Sequence, residues 1–347
     1  MNTQKIDLYN IFLVIISLVI AVILPFELFL ISYAFLGPLH YLTEINWLHE
    51  KKYFVSTNKK WINLFVVLTV LMSIYPVVKF FDFGITPELK LKIGKIFQHG
   101  GFYLLTGFLF AISLLFIRKT KYLLVSLLVI IPVSYLALTY LPDLYIFVAI
   151  FLPTLIHVYL FTLLFIIYGA IKSKSKNGYY LALVLFSVPF IISFLSSDLI
   201  HTKPSREVMD KVIQSNILNV SGFVASKFNE LQAGKFNVFS EFGLRMQIFI
   251  SFAYTYHYLN WFSKTSIIGW AKGFSRKRLF AVLIIWLLSI GLYIYDFKTG
   301  FTALFFLSML HVFLEFPLNI LSIKEIFLHF KSSSKQVSTE NEEVETV

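Results

Sequence analysis

Four histidines, His40, His157, His257 and His311, lie inside otherwise apolar stretches, and two of them are followed one helical turn later by a glutamate, Glu44 and Glu315. An ionisable side chain at membrane depth is costly to bury and usually faces a bundle interior, where it marks a site or a relay. Leu39-His40-Tyr41-Leu42-Thr43-Glu44 and Leu310-His311-Val312-Phe313-Leu314-Glu315 share the form L-H-x-x-x-E. At that spacing the histidine and the glutamate occupy one helical face. A metal-bound imidazole normally donates its second N–H to a carboxylate or a carbonyl. Glu44 and Glu315 would serve in that way or ligate directly, and a divalent cation would offset carboxylate charge that is expensive to bury alone. Imidazole donors suit iron, zinc, copper or nickel and not calcium or magnesium.

Other polar residues divide by position. Asn260 lies three residues after His257, close to its helical face, and fits either the site or helix packing; Tyr256 and Tyr258 read as packing or interfacial residues. His99 stands nearer a helix end, so that tilt decides whether it joins the four. His49, His201 and His329 fall in loops or near ends, where a solvated histidine needs no special explanation, and Asp143 and Asp296 fall at turns that water reaches. Cysteine is absent, which removes disulfides, thiolate nucleophiles, cysteine-held zinc and iron–sulfur clusters.

The elements that must carry these residues are membrane spans. The chain is 58% hydrophobic and only 14% charged, against about 25% charged in soluble domains, and several apolar runs reach the roughly 20 residues that cross the hydrocarbon. The first run lacks a small-residue cleavage site and leads directly into another span, so no cleavable signal peptide is expected. We read an all-α polytopic bundle of about ten spans as a single domain over residues 1–330: Leu8–Leu24, Glu27–Leu48, Trp61–Phe81, Phe97–Ile117, Tyr122–Tyr140, Leu144–Ile171, Tyr179–Leu195, Leu244–Phe262, Leu279–Tyr295 and Phe301–Ile323. A polar stretch with Asp82, Pro87, Glu88 and three lysines connects the third and fourth. Between 196 and 243, apolar residues from Val208 to Leu231 recur at helical spacing and describe an amphipathic helix interrupted near Gly222, lying on the bilayer surface or capping the bundle. The Ser- and Glu-rich stretch 331–347 reads as a disordered tail.

The loops 49–60, 118–121, 172–177 and 264–278 hold fifteen Lys and Arg residues between them, whereas the turns at 25–27 and 141–143 hold none. By the positive-inside rule this orients both termini and the basic loops to the cytoplasmic side of an inner membrane, with 196–243 outside. The net charge of +11 is thereby topogenic and does not point to nucleic acid. The four histidines then fall on even-numbered spans running from the outer face inward. Each lies roughly 10 to 14 residues from the outer end, so that their depths agree to within about 6 Å.

The pattern Gly37-Pro38-Leu39-His40 followed by Glu44, a middle-chain histidine, Tyr256-His257-Tyr258 and a final-span Leu310-His311 resembles the Brp/Blh-type bacterial β-carotene 15,15′-dioxygenases. The resemblance implies a non-haem iron, Fe(II), held by intramembrane histidines, with O2 and β-carotene or a related apolar, membrane-dissolved molecule as substrates and retinal as the product. It departs from the family in three places: the proline precedes His40 by two residues instead of one, Tyr41 stands where the family has glycine, and Glu44 replaces aspartate. A bulky Tyr41 beside the metal would reshape the pocket. His99-Gly100-Gly101 echoes the second family region without its acid. The abundance of Phe and Tyr would suit an apolar tunnel opening from the bilayer. A different class of function uses the same residues: a transporter in which His and Glu relay protons or ions.

Overall fold

The structure is a computed structural model that describes residues 3–55, 59–196, 203–265, 269 and 275–345, with side chains as far as Ser332. His201 lies outside the described residues. Apart from one isolated bridge between Gln232 and Lys235, the described chain is helical. We number the helices in order: α1 Thr3–Ile23, α2 Pro25–Glu50, α3 Ile62–Phe80, α4 Pro87–Phe97, α5 Gly100–Phe116, α6 Thr120–Tyr140, α7 Pro142–Ser173, α8 Lys176–Ser193, α9 Arg206–Gln214, α10 Leu218–Lys227, α11 Glu241–Ser263, α12 Arg276–Tyr295, α13 Phe297–Ala303 and α14 Phe305–Glu345.

Among the described residues, nine helical runs are long and apolar enough to cross a membrane: α1, α2, Lys59–Phe80, α4 with α5, α6, α7, α8, α12 and the Phe305–Ser332 part of α14. The eighth expected span, α11, has the length but too many polar residues to join them, and 14 of its residues are buried. It packs against α1, α2, α7, α8 and α10, while α14 packs against α2, α3, α5 and α7. At the periphery, α6 and α12 bury few of their residues and present apolar side chains such as Leu128, Tyr135, Leu287 and Leu288 outward. Such a surface is what lipid requires and water opposes.

Several boundaries differ from the sequence reading for local reasons. The lysine-bearing connection before α5 is itself helical, because Thr86 accepts the Leu89 N–H at 3.4 Å and Pro87 occupies the first turn. The amphipathic stretch breaks at Asn216, whose φ of 59° is left-handed, and not at Gly222, which lies within α10. Val212, Ile217 and Val220 are buried, as α9 packs on α2 and α13 and α10 packs on α11. The last span starts only at Phe305, after the short α13. The backbone of α14 runs helically to Glu345, over residues whose composition reads as a disordered tail.

Two irregularities precede ligand candidates. A π-helical stretch, Ser32–Leu36, occupies α2 just before Gly37-Pro38 and His40, and a longer one, Phe147–Phe161, contains His157. Pro153 removes an N–H from the second, Thr154 leaves helical geometry at φ −113°, ψ −105°, and its hydroxyl bonds the Ile150 carbonyl. Insertions of this kind rotate the following residues around the helix axis and are frequent at functional sites.

Asp296, read as a solvated turn residue, caps α13: its Oδ2 accepts from the Thr299 N–H and hydroxyl, both at 2.7 Å. These donors hold its carboxyl below the usual value of 3.8. A depressed folded-state value means that the stabilisation is present above 3.8 and is lost as pH falls through the folded-state value. Asp296→Ala is expected to cost about 1 kcal/mol at neutral pH, and Asp296→Asn much less. Thermal unfolding in detergent should show the gap between wild type and Asp296→Ala closing on acidification. At the α5–α14 crossing, a Cβ on Gly107 would run into the Phe313 ring. Gly107→Val should therefore cost roughly 1 to 3 kcal/mol in the same assay.

Candidate metal centre

The four histidines converge. Their rings lie 4.6 Å apart for His40 and His257, 4.9 Å for His157 and His311, 5.0 Å for His157 and His257, and 5.4 Å for His40 and His311, centroid to centroid. All four are buried, as are Glu44 and Glu315. His40, His157 and His311 each offer a ring nitrogen within 4.8 Å of the other two, an arrangement that could hold a metal ion. The Nε2 atoms of His157 and His311 stand 3.1 Å apart, and those of His257 and His40 stand 3.0 Å apart. Two nitrogens about 2.0 to 2.1 Å from one metal would be separated by about 3.0 Å at a right angle and about 3.4 Å at a tetrahedral one.

Neighbouring groups set which nitrogen faces the centre. The Thr162 hydroxyl lies 3.0 Å from the Val158 carbonyl and 2.7 Å from His257 Nδ1. One hydroxyl proton satisfies both contacts only if it goes to the carbonyl while His257 Nδ1 donates to the oxygen. The Nε2 lone pair of His257 is then left pointing toward His40. Glu315 Oε2 is 2.9 Å from His157 Nδ1, the ring nitrogen opposite the Nε2 that faces His311.

The two glutamates are placed differently. Glu315 stands behind His157, on the ring nitrogen away from the centre. Glu44 Oε2 stands 3.1 Å from His40 Nε2, on the inward nitrogen, so that it borders the centre itself. Neither contact has linear hydrogen-bond alignment, and Glu44 Oε2, Glu315 Oε2, His157 Nδ1 and the outer nitrogen of His40 have no other protein partner. Buried groups of this kind ordinarily find partners, and a cluster of exceptions calls for a ligand or an ion. The residues present therefore fit a cation bound by imidazoles with a carboxylate at the rim.

Tyr41 stacks on His311 with ring centroids 5.8 Å apart, and its buried hydroxyl has no protein partner. Asn260 lines the cavity below His257 with its Oδ1 unpaired. Gly37 allows Tyr258 to approach His40, since a Cβ there would lie 3.3 Å from the tyrosine hydroxyl. His99 is exposed at the N-terminal cap of α5 and is not brought to the cluster, because the helix begins only at Gly100. His49 meets the Tyr53 hydroxyl at 3.1 Å at an exposed end, and His329 is likewise exposed.

One member was not anticipated from the sequence: Thr162 had no distinguishing signal, being one hydroxyl in an apolar run. Asn319 continues the four-residue spacing of His311 and Glu315 along α14; it is buried, and both of its amide atoms lack protein partners.

A cavity of about 540 Å³ adjoins the cluster. His40, Glu44, Thr162, His257 and Glu315 form its floor, Trp47, Phe165, Ile166, Trp261 and Leu318 contribute apolar wall, and Lys51, Lys172 and Lys264 stand at the helix ends. Trp261 is fixed by its indole N–H donating to Thr43 Oγ1 at 2.9 Å, while the Thr43 hydroxyl donates to the Leu39 carbonyl at 2.7 Å.

No protein-family model matches this sequence, and no curated protein or solved structure matches it significantly. Fold and site alone define the class: an all-helical protein with apolar helices of membrane-spanning length and buried histidines placed so that they could hold a metal ion.

Outer partners of ligating imidazoles are worth about 10- to 100-fold in metal affinity. Glu315→Gln and Thr162→Val are each expected to weaken metal binding by about that factor, with Thr162→Ser close to wild type, as read by competition with a chromophoric chelator.

Proposed function

We propose that the chain is a ten-span protein of the inner membrane, both termini cytoplasmic, in which His40, His157, His257 and His311 hold a redox metal. In this reading the metal is Fe(II) and the protein is a non-haem iron oxygenase acting on β-carotene or a related long apolar molecule. The observation that carries the proposal is the convergence of four buried imidazoles from α2, α7, α11 and α14 with their Nε2 atoms inward. Such a metal would bind and activate O2 at an open position. Thr162 holds the His257 ring in the tautomer that leaves Nε2 free to bind, and Glu315 stands beside the outer nitrogen of His157. Glu44 stands at the rim, where it balances charge or takes a coordination position. Tyr41, stacked on His311, narrows the approach to the centre on one side. The resemblance at Gly37-Pro38-Leu39-His40 is what favours iron and a carotenoid over other metals and substrates.

Elemental analysis of detergent-purified protein is expected to find about one transition-metal ion per chain, lost in His40→Ala, His157→Ala and His311→Ala. Expression in carotene-producing cells is expected to bleach them and yield retinal, and His311→Ala should abolish both. Wild-type protein without stoichiometric metal would sink the proposal.

A second reading rests on the same short contacts. Nε2 to Nε2 separations of 3.0 and 3.1 Å also suit N–H···N hydrogen bonds, linking Glu315, His157 and His311 in one path and Thr162, His257, His40 and Glu44 in another. A proton-relay transporter would use such paths. It predicts flux driven by an ion gradient in proteoliposomes made with metal-free protein, which the metalloenzyme reading does not.

A further inference from the structure

The cavity on the centre differs from the apolar tunnel opening from the bilayer that the abundance of Phe and Tyr suggests. Its outer residues sit at four helix ends: Thr3 begins α1, with Asp7 one turn on, while Lys51, Lys172 and Lys264 lie at the ends of α2, α7 and α11, which carry basic loops. The cavity therefore grades from three lysines and one aspartate at its outer part, through an aromatic and aliphatic wall, to the histidines and glutamates of the floor.

Lysines at helix ends are common as topogenic charges, but Lys264 is set apart from the others. It is half-buried against the bundle, and loss of water lowers its ammonium from 10.5 to about 8, with Asp7 opposing that shift. Asp7 is itself engaged by the Ser175 hydroxyl at 2.7 Å. A cation withdrawn from water beside a cavity, with its acidic neighbour already shared, is suited to an incoming anion. Lys51 and Lys172, both exposed, border the same opening.

We propose that the site takes an amphiphile with one anionic group, a carboxylate or a phosphate, bound by Lys51, Lys172 and Lys264. Its apolar body lies along Trp47, Phe165, Ile166 and Trp261 and reaches the histidine centre. This substrate class keeps the metal chemistry of the metalloenzyme reading and replaces its wholly apolar substrate; it rests on that reading for its chemistry but not for its binding. Seven residues separate Glu44 from Lys51 and His257 from Lys264, and eleven separate His40 from Lys51. At 1.5 Å per residue the floor lies about 10 to 16 Å below the lysines, which an extended chain on the order of ten carbons spans at ordinary bond lengths. The cavity volume of about 540 Å³ falls in the range of small-molecule sites, about 300 to 1,000 Å³.

Two tryptophans in the wall supply the readout. Full-length protein in an uncharged maltoside detergent is titrated with ω-bromododecanoate, ω-bromododecyl phosphate and the uncharged ω-bromododecanol, bromine being a contact quencher of indole fluorescence. Saturable quenching at least tenfold tighter for one or both anions than for the alcohol is expected, and the tighter anion identifies the headgroup. Trp261→Phe should remove much of the quenching. Lys51→Gln/Lys172→Gln/Lys264→Gln should bring the anions to the level of the alcohol, while the Lys→Arg triple keeps the preference. A charge-matched control, Lys119→Gln/Lys121→Gln/Lys277→Gln, should stay within about twofold of wild type. Equal binding of anions and alcohol, or equal loss in the cavity and control triples, overturns the proposal. Metal content measured on the same samples separates this from failure of the metalloenzyme reading: His311→Ala should lose metal and still bind the anion.

Discussion

Everything in this molecule is arranged around the cost of burying four imidazoles and two carboxylates in the middle of a helical bundle. An ionised group removed from water loses several kcal/mol unless it is paired and hydrogen-bonded. The surrounding helices supply part of what is needed. Thr162 orients His257, Glu315 faces His157, and Thr43 links the His40 helix to Trp261. The part they do not supply is concentrated at the centre, where several ring nitrogens and carboxylate oxygens have no other protein partner. That residue of unsatisfied polarity is the physical case for a cation.

Holding four rings at ring separations near 5 Å requires helices that are locally irregular. Regular α-helices would present His40 and His157 at angles set only by their sequence positions. The π-helical stretches Ser32–Leu36 and Phe147–Phe161, with Pro38 and Pro153 close by, shift the helix phase just where the ligand candidates occur. Elsewhere the frame is tied by buried polar contacts between distant segments. Ser32 meets Thr255 at 2.7 Å, and Gln247 donates to the Pro25 carbonyl at 3.0 Å. These join α2 to α11, the polar helix that carries His257. The cluster also lies where two hydrophobic groups meet, Tyr41, Leu42 and Tyr258 belonging to one and Leu310, Val312 and Phe313 to the other.

Charge plays two separate parts. Deep in the bundle it must be neutralised, and the carboxylates are few and placed against histidines. At the helix ends it is plentiful and mostly solvated, as in the exposed pair of Lys227 with Asp143 at 2.9 Å. Exposed pairs of this type contribute little to stability. The cavity is where the two regimes adjoin, with Lys264 and Asp7 at one end and Glu44 and Glu315 at the other.

Composition and hydropathy were enough to give an all-helical chain with spans of membrane length, because lipid demands long apolar helices whatever their packing. The histidine set was legible too, since an ionisable group in an apolar run is conspicuous and two of the four are followed by a glutamate one turn later. Packing decided what local sequence does not encode. It set the phase of each helix, through π stretches with no simple sequence signature, and so determined that His40, His157, His257 and His311 meet while His99 stays outside. It separated two carboxylates in the same L-H-x-x-x-E pattern, turning Glu44 to the inward nitrogen of its own histidine and Glu315 to the outer nitrogen of His157 on another helix. Thr162 gained its importance only from His257, far away in the chain. The sequence determined which polar groups the bilayer interior must accommodate, and only the tertiary structure decided which of their atoms face one another.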